Sequence, residues 1–164
     1  MKKWEKLMAK YEIELVNNKP DLWKDGDPVR PELNVAFKTH KGREVYALKD
    51  ENGSYVSFCC VARTLSIPSD IMSLSSLTSV DGSIYVPYTV WSLRRGAGKM
   101  IINELLRTVR ENDLGIKRVV TLSPRTEMAR NFHLKNGAKE VSSNTVMVNF
   151  EYSILKEEKI NESR

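Results

Sequence analysis

Apolar residues recur along this chain in two rhythms. Over residues 1–17, Trp4, Leu7, Met8, Tyr11 and Leu15 fall at helical spacing among lysines and glutamates, which predicts an amphipathic helix. The turn formers between Asn17 and Pro28 leave little room for regular structure. Pro31 can open a short helix carrying Leu33 and Phe37, and a strand fits the same residues nearly as well. From Arg43 the period shortens to that of strands. Residues 44–48 and 55–62 are apolar runs joined through Asn52-Gly53, a pair that favours tight reversal, so a hairpin is expected. Residues 63–78 are serine-rich and contain Pro68, predicting a long surface excursion with one helical turn, a kind of segment that often forms a lid or binding wall.

The second half reads strand, turn, helix, strand, helix, strand. Residues 83–90 form a strand in which Pro87, unable to donate to a ladder, predicts a splay, bulge or edge. After it comes Arg94-Arg95-Gly96-Ala97-Gly98-Lys99, then Ile101, Ile102, Leu105, Leu106 and Val109 on one helix face, with Gly115 as the stop. Residues 116–122 are short and β-branched, as in a central strand. Ser123 is then expected to cap a second helix, with Pro124 at its first position. Met128, Ala129 and Phe132 would be its buried stripe and Asn136-Gly137 its end. Val146, Val148, Phe150 and Tyr152 alternate as a last strand, and the charged residues 156–164 are expected to fray.

Composition narrows the class. At 164 residues and 41% hydrophobic, the chain suits one compact domain, taken as residues 1–155. No apolar run approaches the ~20 residues that cross a bilayer, and the basic N-terminus lacks a following apolar signal, so a cytoplasmic protein without a membrane partner is expected. Adjacent Cys59 and Cys60 would face opposite sides of a strand, which argues against a disulfide and for a reducing compartment. His40 and His133 stand far apart without neighbours at ligand spacing, so no metal is expected. The net charge of +5 suits an anionic partner: nucleic acid, a membrane surface or a polyphosphate cofactor.

The glycine turn favours the last of these. A strand that ends in glycines and enters a helix aims several backbone N–H groups at one point, where the helix dipole also favours negative charge. Gly96 and Gly98 let a ligand approach the backbone, and Arg94, Arg95 and Lys99 add charge-assisted contacts. The alternative is a plain tight loop with solvated cations. Met100 stands where a nucleoside triphosphate loop needs Ser or Thr, and Ile101 where a dinucleotide loop needs its third glycine. A diphosphate held in neither way remains.

Leu93-Arg94-Arg95-Gly96-Ala97-Gly98 and, a helix and a strand later, Ala129-Arg130-Asn131-Phe132-His133-Leu134-Lys135-Asn136-Gly137-Ala138 form an ordered pair of motifs. Together, over about residues 83–152, they resemble the GNAT superfamily of acyl-CoA-dependent N-acyltransferases. The resemblance implies an α/β (α+β) fold: a single domain with a mixed, mainly antiparallel sheet flanked by helices and splayed near Val90. It also implies that backbone N–H groups of residues 94–99 bind the pyrophosphate of acetyl-CoA or another acyl-CoA. The strand at Val90 and Trp91 would meet the pantetheine arm. Thr126 stands where the family often has a pantetheine-contacting asparagine, and Leu93 replaces the usual first Gln or Arg.

His133 replaces the family's tyrosine, the general acid to the departing thiolate. An imidazolium with a pKa of about 6.5 can donate that proton, though a hydrogen-bonded, inert histidine on a core helix is the alternative. Ser123 is a secondary catalytic candidate, since helix capping alone accounts for it. No general base stands out; Tyr85 and Tyr88 could line the acceptor side or simply pack. The implied activity is transfer of an acetyl or other acyl group to an amine on a small molecule or protein. A non-catalytic CoA- or anion-binding module, acyl transfer to a hydroxyl, and a basic nucleic-acid-binding protein are the rivals. Against the last, no concentrated basic helix occurs.

Overall fold

The computed structural model describes residues 11–155. The charged tail and residues 1–10 of the expected first helix lie outside the described residues. Where that helix would continue, the chain is a strand, β1 (Glu12–Leu15). Its four residues alternate, Ile13 packs on the core, and Glu14 ties two lysines, Lys19 at 2.8 Å and Lys49 at 3.2 Å. Cross-strand pairing of a period-two segment has overridden the helical spacing.

β1, β2 (Arg43–Lys49), β3 (Tyr55–Thr64) and β4 (Ile84–Ser92) run antiparallel in order. β4 then pairs in parallel with β5 (Arg118–Val120), and β5, β6 (Ser123–Pro124) and β7 (Lys139–Ser143) each pair antiparallel with β8 (Met147–Tyr152). The helices are α1 (Val35–Lys38), α2 (Ile71–Leu77), α3 (Ala97–Glu111) and α4 (Glu127–Lys135). This is the expected α/β (α+β) architecture of a mixed, mainly antiparallel sheet flanked by helices.

Several local differences have identifiable causes. α1 begins four residues after Pro31, where Asn34 accepts from Phe37 N at 2.9 Å. α2 is longer than one turn because Asp70 and Ser73 form a reciprocal capping box. Ser123 is not a cap: Ser123-Pro124 pairs with β8, and the helix starts later at Thr126, whose hydroxyl accepts from Ala129 N. α4 is also turned from its expected face. Met128 is 83% exposed and His133 is the helix's buried residue. β7 had no clear sequence signal, since all five of its residues are exposed.

Each sheet face has its own core. Cys59 lies with Tyr46, Val61, Tyr85, Phe150 and the α3 residues Ile101, Ile102, Leu105, Leu106 and Val109. Full burial of each such aliphatic side chain contributes about 1.5–3 kcal/mol before chain entropy is counted. Cys60 lies on the other face with Trp23, Phe58, Leu74, Tyr88 and Trp91. The two thiols are thus free and back to back, as strand alternation requires, and burial pushes Cys59 up to about 12.

The sheet opens at Pro87. Cys60 faces Thr89 while Val61 faces Pro87, so Tyr88 is the extra residue of a bulge. On the opposite edge β4 pairs with β5 only at Ile84 and Tyr85, and the last bond between the two segments runs from Leu122 N to Pro87 O at 3.0 Å. The strands then part. The buried guanidinium of Arg30 sits across the opening, donating from Nε to Tyr88 O (3.1 Å) and from Nη2 to Leu122 O (3.0 Å). A carbonyl on each side of the splay is thereby satisfied by one side chain from the N-terminal half.

Candidate functional site

The glycine turn follows β4 directly. Gly96 has φ 84°, a left-handed conformation that lets the chain reverse into α3. Ala97 N bonds to Arg94 O, and Arg94 N is taken by Ser92 Oγ. The N–H groups of Arg95, Gly96, Gly98 and Lys99 have no partner among the described residues. Four donors at the N-terminus of a fifteen-residue helix are an anion site in the making. The side chains divide similarly. Arg94 is held by Asp50 of the β2–β3 turn at 2.9 Å, which raises its pKa further, whereas Arg95 and Lys99 are exposed and unpaired among the described residues. Ala97 faces inward and takes no place in the cavity; its carbonyl accepts from Ser57 Oγ at 2.8 Å.

The turn borders a cavity of about 490 Å³, and the splay holds a cleft of about 580 Å³. Ser92, Gly98 and Phe132 line both, so the two form one opening. Gly98 stands at the junction, where a Cβ would come within 3.4 Å of the Phe132 ring. One cleft wall is β4 from Pro87 through Ser92, including Val90 and Trp91. The other is Ser123, Pro124, Thr126 and α4 residues, including His133. The structure therefore brings together every cofactor-binding and catalytic candidate from the sequence except Ala97; of the two tyrosines considered for the acceptor side, Tyr88 lines the cleft and Tyr85 is packed in the core under α3. The Trp91 indole is itself packed in the second core, stacked on Phe58 at 5.1 Å.

His133 is 6% exposed, stacked on Phe150 at 5.2 Å and edge-on to Phe132. This burial lowers its pKa to about 4. At neutral pH the ring is an imidazole, not the imidazolium read from the sequence. Its Nδ1 lies 2.7 Å from the Tyr152 hydroxyl, which also receives Asn136 Nδ2 at 3.5 Å. Tyr152 is buried and Nδ1 is the one acceptor its hydroxyl proton reaches among the described residues, so that proton goes to Nδ1 and the ring carries its own on Nε2. Nε2 has no protein partner among the described residues.

Ser123 obeys the same arithmetic. Thr121 Oγ1 accepts from Phe150 N (3.1 Å) and lies 2.8 Å from Ser123 Oγ. Thr121 is fully buried, so the satisfied arrangement has its proton donated to Ser123; the reverse strands a buried hydroxyl, costing about 1–3 kcal/mol. Ser123, which lines the cleft, is then free to donate into it. His133 and Ser123 are thus two neutral donors on one wall.

The far end of the cleft comes from residues that the sequence pattern gave no reason to choose. Pro28 and Val29 line it, and Asp27 beside them is turned inward. Asp27 Oδ2 pairs with Lys38 Nζ at 2.7 Å; Oδ1 receives Thr89 Oγ1, Val29 N and Arg30 N. The Lys38 ammonium also sits 5.5 Å from the Trp91 ring centroid. In sequence Asp27-Pro28 is only a turn signal, because a buried ion pair between a loop and a four-residue helix has no periodicity. Among the described residues no group of three or more potential metal ligands occurs, and no helix is long and apolar enough to cross a membrane.

No family model matches the chain, and no curated protein does. Solved structures match along most of it. A GNAT-like decarboxylase, GphF, in complex with isobutyryl-CoA superposes with a TM-score of 0.67 at 14% identity, covering 88% of this chain and 100% of that one. The loading GNATL domain of CurA from Lyngbya majuscula gives 0.61 at 14% identity, covering 88% and 98%. An acetyltransferase from Bacillus subtilis in complex with CoA gives 0.61 at 11% identity, covering 89% and 100%. The fold is GNAT-like.

Proposed function

We propose that this protein binds an acyl-CoA, with the pyrophosphate on the 94–99 turn and the thioester in the splay, and transfers the acyl group to an amine. The observation that carries the reading is the continuity of two features: four unpartnered N–H groups at the start of α3, and a cleft ending at two neutral donors. Acetyl-CoA is the simplest donor. Pairing of the pantetheine amides with β4 near Val90 would align the carbonyl with His133 Nε2–H and Ser123 O–H. Those donors stabilise the oxyanion that develops as the amine attacks, and expulsion of the thiolate completes the exchange. A neutral His133 thus acts as a fixed hydrogen-bond donor. Alignment of the two reactants supplies much of the remaining rate. Thr126, already bonded to Ala129 N, has its own hydroxyl proton left for a pantetheine carbonyl.

A second reading is decarboxylation of a carboxyacyl-CoA, favoured by the neutral lining of the cleft. Such a wall strips water from a carboxylate, and the same two donors suit the thioester enolate left by loss of CO₂. Two measurements decide. Melting with and without CoA tests the cofactor: a site filled to a hundred times its Kd adds about 2.7 kcal/mol, and Gly98→Glu, which blocks the junction with a negative group, is expected to lose the shift. No shift in the wild type would sink both readings. Thiol release from acetyl-CoA with amines present, against CO₂ release from malonyl-CoA alone, then chooses between them.

A further inference from the structure

We infer that the acceptor is a weakly basic aromatic amine, one whose nitrogen reaches the cleft uncharged, an inference that rests on the acyl-transfer reading. Every described residue that lines the cleft is formally neutral at pH 7, with His133 held as an imidazole. Its surface is largely hydrocarbon, from Pro28, Val29, Pro87, Pro124, Met128 and Phe132. Asp27, next in sequence to Pro28 on the floor, has a side chain only 2% exposed, and both its oxygens are taken by Lys38, Thr89 and two backbone N–H groups. Glu127, between Thr126 and Met128 on the wall, is exposed and takes no part in the lining.

An alkylammonium entering this space would lose its hydration with no counter-charge from the described residues in return. It would also find no proton acceptor in His133, whose Nδ1 is engaged by Tyr152 and whose Nε2 already carries hydrogen. The alternative is to enter already neutral. With a pKa of about 10.4, only about one alkylamine in 2,500 is neutral at pH 7, and with a pKa of about 7.8 one α-amine in seven. An arylamine is neutral throughout, and its ring suits walls of proline, valine and phenylalanine.

The step balances without an outside base. The neutral nitrogen's lone pair forms the C–N bond, the C–S bond breaks with its electrons leaving on sulfur, and the proton shed by nitrogen ends on that sulfur. The products are an amide and a thiol, with no proton passed to bulk solvent. An ammonium substrate would release one proton per turnover.

The test uses the full chain with acetyl-CoA at pH 7 and equal concentrations of 4-methylaniline, n-butylamine or putrescine, following thiol and proton release together. The expected result is at least 100-fold faster thiol release with the arylamine and no accompanying acid. The gap should narrow towards pH 9, where more butylamine is neutral. Val29→Asp, which puts a carboxylate on the floor, should move the preference towards butylamine. Butylamine or putrescine matching the arylamine in the wild type overturns the inference while leaving acyl transfer intact. If no amine releases thiol, acyl transfer itself fails. Melting of the CoA complex then decides the character of the cleft: stabilisation by 4-methylaniline alone supports a neutral aromatic occupant, and stabilisation by butylamine, or by neither, overturns it.

Discussion

The 94–99 turn and the cleft wall from Ser123 to His133 share one opening but are built on opposite electrostatic plans. At the turn, backbone donors and the exposed cations Arg95 and Lys99 meet solvent, and Arg94 is set in place by Asp50. On the wall, burial has removed formal charge: His133 is neutral, Ser123 is primed by Thr121, and the Asp27 carboxylate beside the cleft is locked to Lys38. Charge is thus concentrated where water screens it and it can gather a polyanion. It is withheld where an uncompensated charge would cost several kcal/mol. Substitutions at the two places should differ in their dependence on salt and on pH.

The largest effect is expected behind the wall. Lys38→Met leaves the Asp27 carboxylate buried without its partner and should cost about 3–5 kcal/mol in urea unfolding, with little response to salt. Adding Asp27→Asn should return a good part of it. A loss below about 1 kcal/mol would mean that the carboxylate does not depend on Lys38 for its charge compensation.

Next comes His133 itself. Its folded pKa of about 4 lies below the unfolded value of about 6.5, so the unfolded chain binds the extra proton first as pH falls. The stability it supports is whole above pH 6.5 and drains away towards pH 4. The wild type should therefore lose about 3 kcal/mol more than His133→Phe between pH 7 and pH 4. Parallel stability curves for the two proteins would show that the ring is not held neutral.

At the turn, Arg95→Ala should leave stability unchanged and weaken CoA binding only a few-fold at low salt, a difference that fades as ionic strength rises past about 0.5 M. This is the smallest of the effects and the one that most directly separates the two plans. A salt-independent loss would place Arg95 in a buried contact instead of a screened one.

The sequence was most legible where information is local. The β2–β3 hairpin, α3 and β8 follow from periods of two and 3.6 residues and from their turn chemistry. Pro87, unable to donate, signalled a splay, bulge or edge without choosing among them, and the two glycine-bearing motifs fell at the mouth and on one wall. Ser123-Pro124 misled: the dipeptide fits a helix start, yet pairing with β8 made it a strand, and Thr126 two residues on took the cap. The 12–15 segment misled in the same way, its alternation realised only because β2 offered an edge.

By itself, then, the sequence determined the β2–β3 hairpin, the strand–turn–helix run from β4 into α3 and the irregularity at Pro87, since each rests on contacts between near neighbours. Tertiary structure alone decided the protonation of His133, the direction of the Ser123 proton, the bridging of the splay by Arg30 and the buried Asp27–Lys38 pair. Apart from the Thr121–Ser123 contact itself, those properties belong to groups separated by 11 to 92 positions in sequence. Burial sets their free energies, and burial exists only once the sheet has brought both halves of the chain together.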